Sequence, residues 1–438
     1  MNAPIFQAVP HLTTASNGPL HQIESRLLTR QTDIETWFRQ RWLQTPAPFY
    51  ASVDLRNAGF KLAPVDTNLF PAGFNNLNPA FFPLAIHAVQ SAMERLCPNA
   101  CDILLVPENH TRNLYYLDSV ATLKHIIEQA GYKVRIGSLL PDIGSGMTID
   151  NLPSGRSLQL EPLLREGNRL KLQDYNPCVV LLNNDLSGGR PPILENLEQI
   201  VIPPLALGWI NRLKSQHFAI YHDLATEFAE LIDIDPWFID PLFRNCGQID
   251  FMSREGTECL EHAVGELLAS IGVKYRKNGI DRKPHVFVKA DAGTYGMGIM
   301  SVSSVDEIRH LNRKQRTSMS SAKEGLRVQR VLIQEGVYTS ETIGENASAE
   351  PVVYMVGHYV IGGFYRVHSQ KTSMENLNSP GMHFEPLAFV EPCNVPDKTQ
   401  QPDAIPNRFY AYGAIARLAL LAAAKEIAQQ STIVINES

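Results

Sequence analysis

Hydrophobic residues follow two different periods along the first half of the chain. Between residues 79 and 96 they recur at alternating steps of four and three, which predicts an amphipathic helix. Short apolar runs at 103–106, 133–136 and 178–182 predict strands, and a second helical pattern that ends at Gly131 joins the first two runs. Strand, helix and strand at this spacing predict an open α/β unit with a parallel sheet.

The remaining patterns indicate how the chain divides into domains. Residues 144–176 look like an insertion that contains a hairpin turn at 165–168. Helical patterns dominate from 205 to 271, and their interruption at Asp235-Pro236 indicates a border region. We therefore expect an amino-terminal α/β domain at 1–200 and a second domain at 201–438.

Length, composition and charge narrow the class of protein. At about 150 residues per domain, 438 residues fit two or three domains, and 44% hydrophobic with 19% charged residues exclude a disordered chain. The net charge of −6 gives the whole chain no electrostatic reason to bind nucleic acid or an anionic membrane. We interpret the basic stretches at 274–283 and 309–330 as solvated faces.

The compartment is predicted from the chain start, its most apolar helix and its cysteines. The first thirty residues lack a signal-peptide pattern, and the apolar helical pattern at 410–428 carries charges and is too short between them to span a bilayer. None of the six cysteines forms a Cys-x-x-Cys pair. We expect six reduced thiols in a cytoplasmic protein.

Two loops of the predicted parallel sheet are candidates for ligand binding. They follow strands at 108–113 and 183–190, and ligands of such sheets gather beyond the carboxyl ends of the strands. Arg112, Asn113 and Asn184 are the candidate residues. The alternative is that Asn, Asp, Ser and Gly are simply what loops contain.

A polar segment at 53–78 is a second candidate. It places Arg, Lys and Asn side chains among aromatic and proline residues, a set that matches the carboxylate and amine of an amino acid. The candidates are Arg56, Asn57, Lys61, Asn68 and Asn76. The alternative is an irregular segment held down by its own side chains.

The strongest motif is a glycine loop between two β-prone runs at 284–302. The first run ends at Lys289, and the loop carries Gly293, Gly296 and Gly298. Glycines let backbone amides approach phosphate oxygens, and a lysine adds a point charge. The order of residues excludes a P-loop and a dinucleotide fingerprint, so the motif indicates nucleotide phosphates in an ATP-grasp site or a kinase.

The elements after this loop resemble the ATP-grasp fold. A short strand at 331–337 ends in the acceptors Gln334 and Glu335, and a hairpin that turns at Gly357-His358 ends near Arg366. The resemblance implies a flap near 284–340 in which Lys289, Gly293, Tyr295, Gly296 and Gly298 cover the phosphates of ATP. It also implies that Gln334 and Glu335 face the adenine and that Arg366 faces the γ-phosphate and an acyl phosphate.

Four segments together resemble the single-chain proteobacterial glutamate–cysteine ligase family. They are VDLRNAGFKLAPVDTNLFPAGFNNLN, ENHTRN, VFVKADAGTYGMGIM and ENLNSPGMHFEPL, and the resemblance runs from about Glu35 to the C-terminus. It implies an open α/β, pre-ATP-grasp-like domain followed by an ATP-grasp-like α+β domain. The activity implied is the ligation of glutamate to cysteine through γ-glutamyl phosphate, with release of ADP and phosphate, the first step of glutathione biosynthesis.

The same resemblance implies a magnesium ion with ATP. Glu375 and Asn378 are the predicted ligands, and Glu350, Glu385 and the segment 435–437 are alternatives. Three other functions stay open: another amino-acid or peptide ligase, a small-molecule phosphotransferase, and a nucleotide-responsive binding protein. The expected partners are ATP, glutamate and cysteine, without nucleic acid or membrane, and the sequence does not predict an oligomeric state.

Overall fold

The computed structural model describes residues 19–141, 143–293, 298–320, 327–344, 346–386 and 408–437, the last range without side chains at 408–409 and 431–437. Its helices are α1 Pro19–Thr29, α2 Gln31–Gln44, α3 Phe82–Leu96, α4 Leu114–Gln129, α5 Lys214–Ile232, α6 Thr257–Lys277, α7 Val305–Arg309, α8 Arg313–Ser320 and α9 Arg408–Glu437. Its strands are β1 Tyr50–Asn57, β2 Leu62–Asn68, β3 Asp102–Pro107, β4 Lys133–Ser138, β5 Met147–Ile149, β6 Leu158–Pro162, β7 Leu164–Glu166, β8 Arg169–Lys171, β9 Val179–Asn183, β10 Ile200–Ile202, β11 Phe243–Cys246, β12 Val286–Ala290, β13 Ile299–Val302, β14 Val331–Glu335, β15 Glu341–Ile343, β16 Ala347–Val356, β17 Tyr359–His368 and β18 His383–Pro386.

The first sheet has the strand order β10-β9-β3-β4-β6-β5 and is parallel except for β5. Its central strands are apolar on both faces, so alternate residues enter two different cores: Leu104 and Val106 one, Ile103 and Leu105 the other. This confirms the predicted parallel α/β unit. The predicted hairpin turn at 165–168 is also confirmed, between β7 and β8.

The central sheet has the order β18-β17-β16-β1-β2, with β15 on β16, and it is antiparallel. Because β1 pairs with β16, the sheet joins segments from both sides of residue 200. Side chains alternate between its faces. Val53, Leu55, Val353 and Met355 belong to a core that also contains α9, whereas polar residues of the other face line cavities.

A third, smaller sheet has the order β11-β14-β12-β13 and is antiparallel. Strand β12 ends at Ala290, one residue after Lys289, and β13 returns after the glycine loop. Helix α6 packs on this sheet through Leu260, Val264 and Leu267. The predicted strand–loop–strand unit and the strand at Val331–Glu335 are confirmed, as is the mixed α/β fold class.

Helix α9 runs through the largest core. Its residues from Tyr410 to Ala424 are buried, and the helix packs against α5, β1 and β2. Among the described residues, no helix is long and apolar enough to cross a membrane.

The cysteines depart from the prediction at one pair. Cys246 on β11 and Cys259 on α6 form a disulfide, with their Cα atoms 6.4 Å apart. Cys97, Cys101 and Cys178 are free thiols, and Cys393 lies outside the described residues. The prediction of six free thiols is therefore wrong for Cys246 and Cys259. The sequence hides this pair because β11 and the start of α6 meet only through the packing of α6 on the sheet.

Candidate functional site

Two adjoining cavities lie on the polar face of the central sheet. The inner cavity lies between that face and the third sheet, which contributes Phe287, Lys289 and Ile299. The outer cavity has a volume of about 630 Å³ and extends toward the start of α4. Both are lined by the same four residues, Asp54, Asp66, Arg366 and Asn378. These four side chains mark the junction of the cavities.

Strand register explains why these side chains share a face. Asp54 on β1 lies directly opposite Asp66 on β2, and Glu350 on β16 lies directly opposite Arg366 on β17. Directly opposed residues of an antiparallel pair point to the same side of the sheet. Residues far apart in the sequence are thereby brought together at the junction.

Lys289 is the buried cation on the inner-cavity side of the third sheet. Its Nζ donates to the carbonyl of Val65 at 2.9 Å and to Oε1 of Gln334 at 2.6 Å. Burial lowers the pKa of Lys289 to about 8, because the loss of hydration outweighs the attraction of Asp66. Both hydrogen-bond acceptors are uncharged, so the ammonium keeps its electrostatic attraction for an anion.

Arg366 belongs to a buried network with two carboxylates. Its Nη1 donates to Oδ2 of Asp54 at 2.9 Å and to Oε1 of Glu350 at 2.5 Å. The other oxygen of Glu350 accepts from Nε of Arg56 at 2.9 Å. Nε of Arg366 is buried and has no hydrogen-bond partner among the described residues. A buried donor without an acceptor is costly, which favours an anionic ligand at this edge of the guanidinium.

The outer cavity combines side-chain amides with aromatic rings. Asn68, Asn75, Asn76 and Asn113 line it together with Tyr354, Phe364 and Phe384. Oδ1 of Asn113 accepts from the backbone N–H of Tyr116 at 3.2 Å and caps α4. Oδ1 of Asn68 accepts from the backbone of Phe70 at 2.9 Å. Each oxygen is thus fixed by the chain, which leaves the NH₂ donors for a ligand.

Lys61 and Glu335 form a closed ion pair away from the cavities. Nζ of Lys61 lies 2.7 Å from Oε2 of Glu335, and both side chains are fully buried. Trp237 and the backbone of Leu242 also donate to the same carboxylate. Neither residue lines the inner or the outer cavity. The backbone N–H of Glu335 is also occupied, by the carbonyl of Leu242 at 2.7 Å.

Other predicted residues hold the chain together. Asn57 donates to Glu341 and Tyr412, and Arg56 uses all three donor groups on Glu350 and on the carbonyls of Val337 and Glu375. Arg56 nevertheless lines the inner cavity. The two remaining predicted loop residues, Arg112 and Asn184, do not line the inner or the outer cavity. Arg112 is exposed, and Asn184 donates to the carbonyl of Pro107.

The glycine loop lies beside a third cavity of about 440 Å³. Gly293 and Gly298 have positive φ angles of 31° and 62°. A Cβ atom at Gly293 would lie 3.1 Å from the carbonyl oxygen of Trp209, so a side chain there would require Trp209 to shift by a few tenths of an ångström. Tyr295 and Gly296 lie outside the described residues. Gln334, whose Oε1 accepts from Lys289, also has a buried donor: its Nε2 has no hydrogen-bond partner among the described residues.

The predicted metal ligands differ in position. The carboxylate of Glu375 accepts from Lys371 at 2.8 Å and from Thr372, which holds its pKa at about 2, and it lines neither cavity. Asn378 lines both cavities. No group of three or more His, Cys, Asp or Glu side chains in the described part of the chain is placed to hold a metal ion. The side chains at 435–437 are outside that part.

Sequence reasoning missed Asp54, Asp66 and Lys214. Lys214 donates to Oδ1 of Asp66 at 2.7 Å from the first turn of α5. A signal was present, because Asp54 and Asp66 each stand two positions from a chosen residue, Arg56 and Asn68. A period of two along a strand would place such residues on one face.

Comparisons with known proteins support one family. The family profile GshA, described as glutamate–cysteine ligase, matches residues 24–427. A comparison with curated protein sequences returns no match. A crystal structure from Methylobacillus flagellatus, named as a proposed γ-glutamylcysteine synthetase, is 58% identical with a TM-score of 0.89, covering 96% of this chain and 99% of that one.

Two further solved structures are much less similar. One is a glutathione synthetase-like effector from Globodera pallida, 11% identical with a TM-score of 0.36, covering 80% of this chain and 77% of that one. The other is a D-alanyl-alanine synthetase A from Vibrio cholerae, 10% identical with a TM-score of 0.36, covering 73% and 81%. The profile spans most of the chain, and from it we conclude that this chain belongs to the GshA family of glutamate–cysteine ligases.

Proposed function

We propose that the chain joins the γ-carboxyl of glutamate to the amine of cysteine in an ATP-dependent reaction that releases ADP and phosphate. This is the first step of glutathione biosynthesis. The observation that carries the proposal is the junction of the two cavities, where Arg366 presents an unpaired buried donor close to the cavity that Lys289 lines. Family membership supports the same reaction.

The inner cavity is the proposed site of the ATP phosphates. Lys289 and Arg366 would hold the β- and γ-phosphates, and the glycine loop, including Gly293, Tyr295, Gly296 and Gly298, would close over them. Gln334 orients Lys289 through its Oε1 and keeps its buried Nε2 amino group for a ligand. The closed ion pair of Glu335 argues against a direct contact between its carboxylate and adenine.

The outer cavity is the proposed site of the amino acids. Its amides, Asn68, Asn76 and Asn113 among them, suit carboxylates and amines, and its volume of about 630 Å³ is large enough for two small zwitterions. Arg56 would act through Glu350, which it shares with Arg366. Holding both substrates beside the γ-phosphate supplies the proximity that amide formation needs.

We propose that magnesium arrives with ATP and that Asn378 supplies one oxygen ligand. Asn378 fits because its amide lines both cavities, and Mg²⁺ commonly takes few protein ligands, with the remainder from phosphate and water. When bound, the ion would neutralise charge on the phosphates. Glu375 does not fit, because Lys371 and Thr372 occupy its carboxylate. We also propose a cytoplasmic location, where ATP and reduced cysteine are both present.

The test is ATP cleavage by the purified chain across a panel of amino-acid pairs. Phosphate release should require both glutamate and cysteine, and glutamate labelled with a heavy oxygen isotope in its γ-carboxyl should pass one label to phosphate. AMP as the nucleotide product would refute the acyl-phosphate route. A stable phosphorylated amino acid would identify a phosphotransferase, and ATP binding without turnover would identify a binding protein.

A substitution tests the phosphate site. Lys289→Ala should lower turnover by roughly tenfold to a hundredfold, because a hydrogen bond to a charged group contributes about 1.5–3 kcal/mol. The control is Lys124→Ala, which removes a partly exposed lysine of α4 that pairs with Glu128 and lines neither cavity. Equal turnover in the two folded variants would remove Lys289 from the site.

A further inference from the structure

Two carboxylates occupy the place where the activated glutamate and the incoming amine would meet. Asp54 and Asp66 face each other across β1 and β2, and each lines both the inner and the outer cavity. Amide formation requires a proton acceptor at this point, because an amino acid carries an ammonium group that cannot attack a carbonyl. Strand register places both residues beside both cavities, so position alone does not identify the proton acceptor. The surroundings of each carboxylate decide which of the two can act as the base.

Asp66 is held in its ionised form by cations. Its Oδ1 accepts from Nζ of Lys214 at 2.7 Å and from the backbone N–H of Thr67 at 3.1 Å. Burial would raise its pKa, but Lys214, Lys289 and Arg212 outweigh burial and hold the pKa well below the usual range. Such a carboxylate is a weak base. Its contact instead fixes Lys214, and its charge attracts Lys289, on the phosphate side.

Asp54 has one cation contact and an unused oxygen. Oδ2 accepts from Nη1 of Arg366 at 2.9 Å, while Oδ1 accepts no hydrogen bond from the described residues. Its side chain is 20% exposed, which leaves it accessible from the cavities. The charged groups that face it are Arg366 on β17, Glu350 on β16, Asp66 on β2 and Lys289 on β12. Burial, together with repulsion by Glu350 and Asp66, outweighs the attraction of Arg366 and raises the pKa of Asp54.

We propose that Asp54 is the base that accepts a proton from the ammonium of the acceptor amino acid, while Asp66 stays ionised and positions the cations that face the phosphates. This assignment rests on the proposed ligase function. It follows a general pattern, in which two neighbouring carboxylates with different surroundings take different roles.

The step balances as follows. The ammonium nitrogen loses one proton to Oδ1 of Asp54, and its freed electron pair forms the C–N bond to the γ-carbonyl carbon of the acyl phosphate. The bond from that carbon to the phosphate oxygen breaks, and phosphate leaves with the electron pair. The second proton of the nitrogen leaves with the phosphate, and Asp54 returns its proton to solvent.

The test compares two acceptors in Asp54→Asn. Cysteine needs a base at neutral pH, whereas hydroxylamine is largely unprotonated there and attacks an acyl phosphate unaided. We expect the rate of cysteine ligation to fall by about 10²- to 10³-fold, the size of a general-base contribution, and hydroxamate formation from glutamate and ATP to fall at least tenfold less than cysteine ligation. Equal loss with both acceptors, or no loss with cysteine, would overturn the assignment.

The matched control is Asp66→Asn, which removes the same charge from the facing position. It should lower the rates with cysteine and with hydroxylamine to the same extent, because Asp66 acts through Lys214 and Lys289 on the activation of glutamate by ATP. Loss of cysteine ligation alone in Asp66→Asn would transfer the base role to Asp66 and refute the proposal. Absence of hydroxamate in the wild type would instead refute the ligase function itself, so the two failures are distinguishable.

A pH profile of the wild type gives a test that does not depend on a folded variant. The rate constant kcat/KM for cysteine should rise with pH as Asp54 loses its proton, and hydroxamate formation, expressed per unprotonated hydroxylamine, should not follow the same rise. Asp54→Glu keeps a carboxylate and should keep the acid limb at a lower rate. The same acid limb with both acceptors would exclude Asp54 as the base for the amine.

Discussion

Two buried lysines, Lys61 and Lys289, show how surroundings decide what a charge can do. Nζ of Lys61 has a carboxylate of Glu335 at 2.7 Å and lies over the ring of Trp237, 4.5 Å from its centroid. Nζ of Lys289 has two uncharged acceptors. A paired charge has little attraction left for a ligand, whereas an unpaired one in a poorly hydrated place keeps most of it. Lys61 therefore stabilises the fold, and Lys289 is suited to bind phosphate.

The lowered pKa of Lys289 predicts a pH dependence of ATP binding. Its pKa of about 8 means that the ammonium is mostly charged at pH 7 and mostly neutral at pH 9. We therefore expect the KM for ATP to rise over this interval. Lys289→Arg keeps the positive charge over the same interval and should remove the dependence. A KM for ATP that is independent of pH in the wild type, measured with saturating amino acids, would contradict this.

Single residues were predictable from the sequence only where a local motif marked them. The strand, the lysine and the glycine loop are contiguous, so Lys289 could be identified from them. The partner of Lys61 lies 274 residues away, and no local pattern shows that Glu335 neutralises it. Asp54 and Asp66 were missed for a related reason, since their proximity depends on the pairing of two strands.

The glycine loop is fastened to α5 at its base. Oδ1 and Oδ2 of Asp291 accept from the backbone N–H and the Oγ–H of Ser215, each at 2.7 Å, in the first turn of α5. The backbone N–H of Lys214 donates to the carbonyl of Asp291 at 2.8 Å. A carboxylate is favoured at a helix N-terminus because it satisfies unpaired N–H groups there. One helix end therefore fixes both the loop and Lys214.

We expect Asp291→Ala to weaken ATP binding more than amino-acid binding. Loss of a helix-capping side chain costs about 1 kcal/mol, which corresponds to roughly a fivefold rise in the KM for ATP if the loop loses its anchor. Ser215→Ala removes only the Oγ–H contact and should have a smaller effect in the same direction. A lower melting temperature with unchanged KM values would mean that Asp291 only caps the helix.

At the level of elements, the sequence predicted where strands and helices lie better than it predicted which strands pair with each other. The parallel unit and the strand–loop–strand unit follow from local periodicity and short connections. The pairing of β1 with β16 does not, because a period of two defines the faces of a strand but not its neighbour. For this reason the polar segment at 53–78 was predicted only as a ligand-binding segment. In the structure, much of it belongs to β1 and β2, two strands of the central sheet.

The whole molecule is held together by charged contacts of α9 as well as by its apolar surface. Arg417 contacts Glu35 near the start of the described chain, with Nη2 2.7 Å from Oε1. Glu426 contacts Arg212 at 2.8 Å and His217 at 2.7 Å. The helical pattern at 410–428 was visible in the sequence, but the partners of its charges are brought to it only by the complete fold.

Glu426 therefore predicts how the stability of the molecule depends on pH. Burial would raise its pKa, but Arg212 and His217 outweigh burial and hold the pKa at about 2, below an unfolded value of about 4.3. A depressed carboxylate pKa contributes stability that is present above the unfolded pKa and is lost as the pH falls through the folded pKa. Glu426→Gln should lower the free energy of unfolding by about 3 kcal/mol at pH 7.

The difference in unfolding free energy between wild type and Glu426→Gln, measured by denaturant titration, should shrink as the pH falls from about 5 to about 2. Glu227→Gln is the matched control, because Glu227 also pairs with an arginine, Arg41, but its side chain is 41% exposed. Exposed pairs contribute about 0–1 kcal/mol, so this variant should stay close to the wild type at every pH. A loss in Glu426→Gln that is the same at pH 7 and pH 2 would show that shape rather than charge holds α9 to α5.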